Sequence, residues 1–320
     1  MELSNTLVTV FGGAGFIGTQ VVQLLATKGY RVRVAVRRPD LAGHVKPLGF
    51  VGQVLPIQAN VRDRGSVERA VRGASIVINL VGIGYERGKQ RFRAVHAAGA
   101  RNVAEAAKAL KAGSLVHLSA LGADLEAPSL YARSKALGEA DVLAAFPSAV
   151  VIRPSVVFGP DDSFFNRYGM LARMLPVVPV IGAKSRFQPI YVGDVAQAIV
   201  AAAEGAVKDG RIYEIGGPET ATHQELVERV IAETGRTNLT VPLPAGIAKL
   251  MALPISFLPN PLITTDQVDQ LQADSIVSEA AQREKRTLAA FGITPTAMDA
   301  ILPSYLWRFM KNGQFDRQTA

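Results

Sequence analysis

The chain has 320 residues, of which 48% are hydrophobic and 19% charged, and its mean hydropathy is +0.19. This composition excludes a disordered, fibrous or collagen-like chain and predicts one α/β body with a smaller lobe. The sequence contains no cysteine, which excludes disulfides, thiolate metal sites and cysteine nucleophiles. It also fits a reducing compartment, and we expect the cytoplasm.

The formal net charge of +8 is concentrated in the first third of the chain. Residues 1–110 contain 16 Lys and Arg against 6 Asp and Glu, whereas residues 111–320 contain 19 against 21. A basic region of this kind suits phosphate-bearing ligands, anionic lipid head groups or an acidic protein surface. We expect no nucleic-acid partner, because no recognisable reading module accompanies the arginines.

Short apolar runs alternate with helical patterns through the first half of the chain. The runs rich in Val, Ile and Leu predict strands at residues 7–11, 31–36, 53–58, 75–81, 114–119 and 149–153. Helical periodicity predicts helices at residues 16–28, 66–71, 92–110 and 131–145. This alternation predicts an α/β fold with a doubly wound parallel sheet of the Rossmann type, with ligands at the carboxyl ends of its strands.

The alternation becomes less regular after Pro154. Residues 194–204 predict a helix, residues 211–215 a strand, and Thr222 and Glu225 have the spacing of a helix-capping box. We therefore assign residues 1–155, with 186–218 contributing to the sheet, to the sheet-forming domain. Residues 156–185 and 219–320 are assigned to a smaller C-terminal lobe for a substrate or partner.

A glycine-rich turn follows the first predicted strand directly, at residues 12–18 (GGAGFIG). Its glycines permit a tight turn, close approach of the backbone to a pyrophosphate and close packing of the following helix. A glycine pattern alone is weak, but its place between a strand and a helix predicts a dinucleotide site. The residues expected to contact the cofactor here are Gly12, Ala14, Gly15, Phe16, Ile17 and Gly18.

The end of the second predicted strand indicates which nucleotide is bound. Proteins that prefer NAD usually carry an acid there for the ribose hydroxyls, but residues 34–38 read VAVRR. Two guanidinium groups, Arg37 and Arg38, can hold a 2′-phosphate through charge-assisted hydrogen bonds, so we predict NADP(H). The alternative is that both arginines are surface residues that bind nothing.

Further cofactor contacts follow from the predicted sheet. Asn60 and Val61, after the third strand, are expected at the adenine. Leu80, Val81 and Gly82, after the fourth strand, are expected at the nicotinamide half. The remaining predicted cofactor contacts are Ser119, Tyr131, Lys135, Pro154 and Val156.

Tyr131 and Lys135 lie four residues apart in a predicted helix, so they share one face. A lysine ammonium beside a tyrosine favours the phenolate, and the lysine can also hold the nicotinamide ribose. The pair can therefore move a proton while a cofactor moves a hydride. The 4 histidines show no metal-ligand spacing, so we expect no metal.

Several motifs together resemble known families. The glycine-rich turn, the Tyr131/Lys135 pair, residues 153–160 (RPSVVFGP) and residues 191–194 (YVGD) are similar to extended or atypical short-chain dehydrogenases/reductases of the NAD-dependent epimerase/dehydratase type. A second set of motifs covers nearly the whole chain and resembles the NADPH-binding 39 kDa accessory-subunit family of respiratory complex I, in its bacterial form. These motifs are residues 117–124 (HLSALGAD), 131–139 (YARSKALGE), 159–166 (GPDDSFFN), 265–268 (TDQV) and 305–308 (YLWR).

The second resemblance implies tight NADPH binding without an established turnover. Where the dehydrogenase/reductase superfamily commonly keeps an Asn for its proton relay, this chain has His96, which we interpret as a packed or hydrogen-bonded residue. The usual Ser or Thr that polarises a carbonyl falls near Leu121, with Ser119 displaced toward the strand. The Tyr and Lys positions are intact while the Ser and Asn positions are weakened, so the sequence leaves enzymatic activity open.

Two apolar segments each permit two interpretations. Residues 237–265, whose only charge is Lys249, either cover the sheet edge as core or press against a partner or a membrane interface. The surface interpretation rests on Ile247, Leu250, Met251, Ile255, Phe257 and Leu258. The same alternatives apply to the C-terminal residues Tyr305, Leu306, Trp307 and Phe309.

Three functions are open from the sequence. The first is a structural subunit that holds NADPH and docks on respiratory complex I at the cytoplasmic face of the inner membrane, with complex I subunits and an anionic membrane surface as partners. The second, implied by the resemblance to dehydrogenases/reductases, is an active NADP-dependent reductase, dehydrogenase or epimerase that acts on a quinone precursor or a nucleotide sugar. Tyr131 would be its acid/base, Lys135 the partner of Tyr131, and Ser119 or a water the oxyanion donor. The third is a sensor whose affinity for a partner depends on the NADPH/NADP⁺ ratio.

Overall fold

The computed structural model describes residues 5–256, 258 and 261–313, and it divides into two compact units. The sheet unit comprises the chain up to residue 154, together with residues 193–215 and 278–294. The other unit, the lobe, comprises residues 155–192 and 216–277 and the chain from residue 295.

Strands and α-helices alternate along the chain up to the end of the sixth strand, except that only 3₁₀ helices join the second strand to the third. In order they are β1 (Leu7–Phe11), α1 (Phe16–Thr27), β2 (Arg31–Val36), β3 (Val54–Gln58), α2 (Arg64–Val71), β4 (Ile76–Asn79), α3 (Gly99–Ala109), β5 (Ser114–Leu118), α4 (Leu130–Ala145) and β6 (Val150–Pro154). The later elements are β7 (Val157–Phe158), α5 (Phe165–Met174), β8 (Val177–Ile181), β9 (Arg186–Phe187), β10 (Ile190–Tyr191), α6 (Val192–Ala203), β11 (Ile212–Ile215), β12 (Ala221–Thr222), α7 (His223–Glu233), β13 (Leu239–Leu243), α8 (Ala245–Ile255), α9 (Thr265–Gln270), α10 (Glu279–Arg283) and α11 (Met298–Leu306). Short 3₁₀ helices cover Pro39–Leu41, Gly43–Leu48, Leu288–Phe291 and Trp307–Phe309, and a π-helical segment covers Arg93–Ala98.

Seven parallel strands form the main sheet, in the order β11-β6-β5-β4-β1-β2-β3. The chain builds outward from β1 to β3 and then returns to place β4 on the other side of β1, so the sheet is doubly wound, as predicted. All four residues of β4 are buried, which is typical of a parallel sheet covered on both faces. The reversal between β1 and β4 marks the crevice where such sheets bind ligands.

The boundaries of the two units differ from the predicted division at two places. Residues 278–294 group with the sheet unit: Ser278 donates its backbone N–H to the Glu214 carboxylate over 2.8 Å, and Phe291 packs edge-on against Tyr213 with ring centroids 5.1 Å apart. Residues 186–192 and 216–218, predicted to contribute to the sheet, belong to the lobe, where β9 pairs with β12 and β10 with β7. Both differences arise from contacts between distant segments, which no local pattern indicates.

The helix predicted over residues 92–110 is π-helical at its start and becomes regular only at Gly99. A Cβ at Gly138 of α4 would lie 2.1 Å from the carbonyl oxygen of His96, so the two backbones approach closely there. A Cβ at Gly99 would lie 2.8 Å from Cγ2 of Val61, after β3. The widened turn therefore fits the segment between α4 and the loop that follows β3, and it brings His96 against α4.

Helices α5, α7 and α11 pack around β8 to form the core of the lobe. Tyr305 and Leu306 are buried in this core, so their interpretation as an exposed interaction surface is wrong. The Tyr305 hydroxyl donates to the Asp162 carboxylate over 2.6 Å, and the same carboxylate accepts the backbone N–H of Phe165 over 2.6 Å. Tyr305 therefore ties the last helix to the loop that precedes α5.

Helix α8 packs on α9 through small residues and leaves its large apolar side chains in solvent. Ala248 and Ala252 are buried, and Lys249 forms an ion pair with Asp269 at 2.6 Å. The exposed apolar side chains of this segment are Ile247, Leu250, Met251, Leu253 and Leu258. This arrangement favours the surface interpretation of residues 237–265, of which Phe257 lies outside the described residues. Within residues 5–256, 258 and 261–313, no helix combines the length and apolar character needed to cross a bilayer.

Candidate functional site

The glycine-rich turn connects β1 to α1, and two of its positions are suited to glycine. Gly12 has φ +78°, a conformation that favours glycine, and its N–H donates to the Ala35 carbonyl of β2 over 3.1 Å. A Cβ at Gly18 would lie 2.3 Å from the carbonyl oxygen of Gly12. The first turn of α1 therefore packs directly on the loop, as the sequence pattern predicts.

The N-terminus of α1 is open to an anion. Gly15 caps the helix without a side-chain hydrogen bond, and the first turn of this fully described helix contains no acidic residue. Gly15 is exposed, and Phe16 and Ile17 follow it as the first helical residues. Backbone N–H groups at a helix start are a binding site for phosphate, so this turn fits the pyrophosphate of a dinucleotide.

The two arginines after β2 differ in their surroundings. Arg37 is exposed, and its guanidinium has no hydrogen-bond partner within the part of the chain that the structure describes. Arg38 is engaged by Asp40, with Nη2 2.7 Å from Oδ2 and Nε 3.0 Å from Oδ1. The Arg38 hydrogen bond lowers the pKa of the Asp40 carboxyl. Arg37 is therefore the guanidinium that is free to meet a ligand, whereas Arg38 already has an anionic partner.

A third basic residue, which the sequence pattern does not indicate, contacts the glycine-rich turn. His44 lies in the 3₁₀ helix Gly43–Leu48, and its Nε2 is 3.2 Å from the carbonyl oxygen of Ala14. The two residues are 30 positions apart in the chain. Only the fold of the connection between β2 and β3 brings them together.

The predicted adenine residues form a turn after β3. The side-chain oxygen of Asn60 accepts the backbone N–H of Arg62 over 3.2 Å, and the backbone N–H of Asn60 donates to Ser66 over 2.9 Å. Val61 is buried, and its carbonyl accepts a hydrogen bond from the Asn102 side chain over 2.8 Å. Asn60 and Val61 are thus held in a fixed turn at the carboxyl end of β3.

The segment after β4 lies against the glycine-rich turn. A Cβ at Gly12 would lie 3.2 Å from the carbonyl carbon of Leu80 and 3.3 Å from the nitrogen of Val81. A Cβ at Gly82 would lie 3.7 Å from Nε2 of His96 and 3.8 Å from Nζ of Lys135. The structure therefore brings together the glycine-rich turn, the segment 80–82 and Lys135, three parts that the sequence assigned to one site.

His96 links the segment after β4 to helix α4. Its Nε2 accepts the backbone N–H of Ile83 over 2.9 Å, so the ring proton is on Nδ1, which lies 2.8 Å from Oγ of Ser134. Ser134 in turn donates to the carbonyl of Tyr131 over 2.7 Å. Burial, and secondarily the Lys135 ammonium, lowers the pKa of His96 to about 2. The ring is therefore a neutral, doubly hydrogen-bonded connector, and it is not placed to act as a general base.

Lys135 is buried beside the end of β5. Its Nζ donates to the carbonyl of Leu118 over 2.9 Å, and burial lowers its pKa to about 8. Tyr131 lies one turn earlier on α4, where its ring contacts Phe92 and His96 edge-on at centroid distances of 5.8 and 5.3 Å. The Tyr/Lys pair thus occupies one helix face, as predicted.

Two buried side chains on β5 and just after it have polar atoms without partners among the described residues. They are His117, through Nε2, and Ser119, through Oγ. His117 accepts a hydrogen bond at Nδ1 from the Asn79 side chain over 3.1 Å, and Asn79 accepts the backbone N–H of Val81 over 3.2 Å. Burial lowers the pKa of His117 to about 3. His117 and Asn79 were missed from the sequence, because their pairing depends on the register of β4 and β5.

The last two predicted contacts fall in different units. Pro154 ends β6 in the sheet unit, where its carbonyl accepts the backbone N–H of Leu121 over 2.9 Å. Val156 belongs to the lobe, where its carbonyl accepts the backbone N–H of Ile190 over 2.9 Å. Across the described residues, no three His, Asp or Glu side chains come close enough to hold a metal ion.

The residues of the sheet unit fit a nicotinamide dinucleotide. The turn at residues 12–18 has a left-handed Gly12 and no space for a side chain at Gly18, the start of α1 is open to a phosphate, and Arg37 is an exposed cation without a partner among the described residues. These features match the chemistry of a pyrophosphate flanked by two nucleosides.

Comparisons with known proteins agree with both resemblances found in the motifs. Residues 8–216 match the NAD dependent epimerase/dehydratase family. The mitochondrial NADH dehydrogenase (ubiquinone) 1 alpha subcomplex subunit 9 of Arabidopsis thaliana is 37% identical over 98% of this chain and 80% of its own length. The ceramide reductase of Caulobacter vibrioides is 36% identical over 61% of this chain and 60% of its own length.

The fold is also that of solved enzymes. The UDP-glucose 4-epimerase of Thermus thermophilus, solved in complex with NAD, superposes with a TM-score of 0.69 at 23% identity, over 95% of this chain and 99% of that one. This likeness is one of fold alone. The family match and the near full-length relative together decide the assignment: the chain belongs to the NAD dependent epimerase/dehydratase family and, within it, to the group that includes the alpha subcomplex subunit 9 proteins of NADH dehydrogenase (ubiquinone) 1.

Proposed function

We propose that this chain binds NADP(H) in a structural role and serves as an accessory subunit associated with NADH:ubiquinone oxidoreductase. The observation that carries the proposal is its relationship, over 98% of its length, to a protein named as a subunit of that complex. The basic region of the sheet unit and the open start of α1 supply the nucleotide site. The proposed location is the cytoplasmic face of the inner membrane, as a peripheral protein.

A structural role for the nucleotide is supported by a contrast between the groups that could bind it, which are available, and His96 near the Tyr131/Lys135 pair, which is engaged by the protein. The turn at residues 12–18 and Arg37 are available to a ligand, whereas both nitrogens of His96 are engaged by the protein. A ligand that binds only the folded chain stabilises it, by about 2.7 kcal/mol when present at a hundred times its dissociation constant. When bound, NADPH can supply a hydride, but here its proposed contribution is this stabilisation.

The lobe supplies the proposed partner surface. Helix α8 exposes Ile247, Leu250, Met251 and Leu253, and Lys249 is neutralised by Asp269. An apolar patch without net charge is suited to contact another protein or the apolar layer of a membrane interface. We assign this surface to docking on the respiratory complex.

The nucleotide proposal is tested by denaturing freshly purified protein and identifying the released nucleotide by mass. We expect NADPH or NADP⁺ in near-stoichiometric amount from the wild type. The Gly18→Ala variant should release none, while Gly43→Ala, at a glycine with nothing within 4 Å of its Cβ position, should release the wild-type amount. Release of NAD(H) alone, or of no nucleotide from protein that also fails to bind added NADPH, contradicts the proposal.

The docking proposal is tested with an affinity tag on the full chain in its source cells. We expect the wild type to co-purify subunits of NADH:ubiquinone oxidoreductase, and the double variant Leu250→Glu, Met251→Glu to lose them. Leu41→Glu is the matched control, because Leu41 is 68% exposed in the sheet unit and Leu250 is 73% exposed in the lobe. A complex that purifies complete without the wild-type chain contradicts the accessory-subunit role.

A second candidate function is an active NADP-dependent reductase, dehydrogenase or epimerase that acts on a quinone precursor or a nucleotide sugar. It is favoured by the Tyr131/Lys135 pair on one face of α4 and by the relationship to a ceramide reductase over 61% of this chain. In this case Tyr131→Phe should abolish turnover while leaving the NADPH affinity within about twofold, since the phenol moves a proton and does not hold the phosphates. If the wild-type protein shows no turnover on these substrate classes, the result favours the structural role over the enzymatic one.

A further inference from the structure

His44 is an exposed basic side chain fixed against the cofactor turn. Its Nε2 lies 3.2 Å from the carbonyl oxygen of Ala14. A carbonyl only accepts hydrogen bonds, so Nε2 carries a proton and donates. The ring is thereby held on the one stretch of backbone in the described part of the sheet unit that is shaped for a dinucleotide.

The 3₁₀ helix that carries His44 is itself anchored. Ala42 and Val45, on either side of His44, are buried. The chain that follows the helix is tied to the end of α1 by Gln53, whose side-chain nitrogen donates to the carbonyls of Ala26 over 2.7 Å and Tyr30 over 3.0 Å. His44 is therefore positioned by packed neighbours on both sides, although its own side chain is exposed.

His44 and Arg37 belong to the same end of the sheet. Ala14 follows β1 and Arg37 follows β2, and these strands are adjacent and parallel, with Phe11 opposite Ala35. The hydrogen bond from Gly12 to the Ala35 carbonyl, 3.1 Å long, joins the turn to the end of β2. The two exposed basic groups thus belong to the edge formed by the ends of β1 and β2, where a doubly wound sheet receives the adenosine half of a dinucleotide.

We propose that His44 and Arg37 together hold the 2′-phosphate of NADP(H), and that Arg38 does not. The inference rests on the proposed binding of NADP(H). Arg38 is already paired with Asp40 through two of its nitrogens, whereas Arg37 has no partner within the described residues. Nε2 of His44 is used by the Ala14 carbonyl, so Nδ1 is the ring atom left for a ligand, and a phosphate would accept a hydrogen bond from it.

Few other charges bear on His44. The 3₁₀ helix carrying it packs against α1, β3 and the preceding 3₁₀ helix Pro39–Leu41. Neither α1 nor β3, both fully described, contains a titratable residue. The neighbouring charged groups are Asp40 and Arg38 of the preceding turn, Arg37, and Lys46 on the same helix.

The test compares dissociation constants for NADPH and NADH in the full-length protein, measured by calorimetry at one ionic strength. We expect His44→Gln, which keeps an N–H donor for the Ala14 carbonyl, to weaken NADPH about tenfold, as expected for loss of one charged hydrogen bond, and NADH less than twofold. Lys46→Gln is the matched control, since it removes a neighbouring exposed cation from the same helix. It should change either constant less than twofold.

Three results overturn the proposal. Equal weakening of NADPH and NADH by His44→Gln assigns the ring to the pyrophosphate or to the turn alone. An equal loss in Lys46→Gln assigns the effect to the general field of the basic region. If the wild type binds NADPH tightly and His44→Gln binds it equally well, only this inference is wrong. If the wild type binds neither dinucleotide, the proposed function is wrong as well.

Discussion

The two ends of the site in the sheet unit differ in how far the protein itself already satisfies their polar groups. The phosphate end comprises residues 12–18, Arg37 and His44. Gly15, Arg37 and His44 are exposed there, the start of α1 has no side-chain cap, and Arg37 has no partner among the described residues. The Lys135 end, which comprises Lys135, His96, His117 and Ser119, is buried, and both imidazoles are neutral and hydrogen-bonded. One end is ready for a ligand, while the other is organised mainly around internal contacts.

This difference separates holding a cofactor from using it. Charge-assisted contacts to phosphate need only exposed donors in a fixed frame, and the turn before α1 provides them. Proton transfer needs groups that can change their protonation state near neutral pH. At the Lys135 end the pKa of Lys135 lies at about 8, but those of His96 and His117 lie at about 2 and 3, so the histidines cannot share in such a transfer.

The largest effect is expected from adding a side chain inside the glycine-rich turn, which tests whether the phosphate end holds the nucleotide. A Cβ at Gly18 would lie 2.3 Å from the Gly12 carbonyl oxygen and 2.6 Å from the Gly13 Cα, both backbone atoms that cannot move aside cheaply. The added methyl group should distort the turn that receives the nucleotide. We expect Gly18→Ala to weaken the free energy of NADPH binding by on the order of 3 kcal/mol, which corresponds to roughly a hundredfold in affinity. Fluorescence titration measures this, with Gly43→Ala as control. An affinity within threefold of the wild type would show that the turn does not hold the nucleotide.

Arg37 and Arg38 sharpen the comparison at the phosphate end. We expect Arg37→Gln to weaken NADPH roughly tenfold to a hundredfold and NADH less than threefold, because a charged hydrogen bond to the 2′-phosphate is lost. Arg38→Gln should weaken NADPH by less than about threefold, since Asp40 already holds that guanidinium. Calorimetric titration of both variants with both nucleotides shows which arginine contributes more to NADPH affinity. If Arg38→Gln has the larger effect, the assignment of the free cation is wrong.

The neutral histidines make the Lys135 end sensitive to acid. Burial lowers the folded-state pKa values of His96 and His117, so the unfolded chain binds protons below about pH 6.5 that the folded chain excludes. Stability should therefore be full above pH 6.5 and fall as the pH drops toward 4, by about 1.4 kcal/mol per pH unit for each histidine. His117→Gln, which can still accept from Asn79, should have a shallower slope by about that amount. Urea midpoints between pH 4.5 and 7.5 measure both slopes, and identical slopes would contradict the assignment.

The smallest expected effect concerns Ser119. Its hydroxyl is buried without a partner among the described residues, so Ser119→Ala removes an unsatisfied group and should change the free energy of unfolding by less than about 1 kcal/mol. The NADPH affinity should stay within about twofold. Thermal unfolding and nucleotide titration check the two expectations. A large loss of affinity would show that this hydroxyl binds the cofactor and that the Lys135 end is more active in binding than its internal contacts indicate.

The fold was predictable because the patterns that indicate its strands, helices and first turn each involve residues that are close together in the chain. Apolar periodicity reports which faces of a strand or helix are buried, and the glycines identify the turn between β1 and α1. The six strands predicted in the first half of the chain are parallel because helical segments connect them. The strands predicted at residues 7–11 and 31–36 coincide with β1 and β2. The Tyr131/Lys135 pair was predictable for the same reason, since a spacing of four residues places both on one helix face.

What local patterns could not supply are the pairings that decide how the site works. Asn79 meets His117 only because β4 and β5 are neighbours in a particular register, and His96 reaches Ser134 only because a widened helical turn passes close to α4. The attachment of residues 278–294 to the edge of the sheet has the same origin. In each case the partners are far apart in the chain.

The amino-acid sequence by itself determined the sheet, the turn at its opening and a basic strand end suited to a phosphate. The tertiary structure alone decided that Arg38 is engaged by Asp40, that His44 contacts Ala14, and that the two histidines beside Lys135 are buried and neutral. The physical reason is that periodicity reports which face of an element is buried. Hydrogen-bond partners and pKa values depend on which other elements pack against that face.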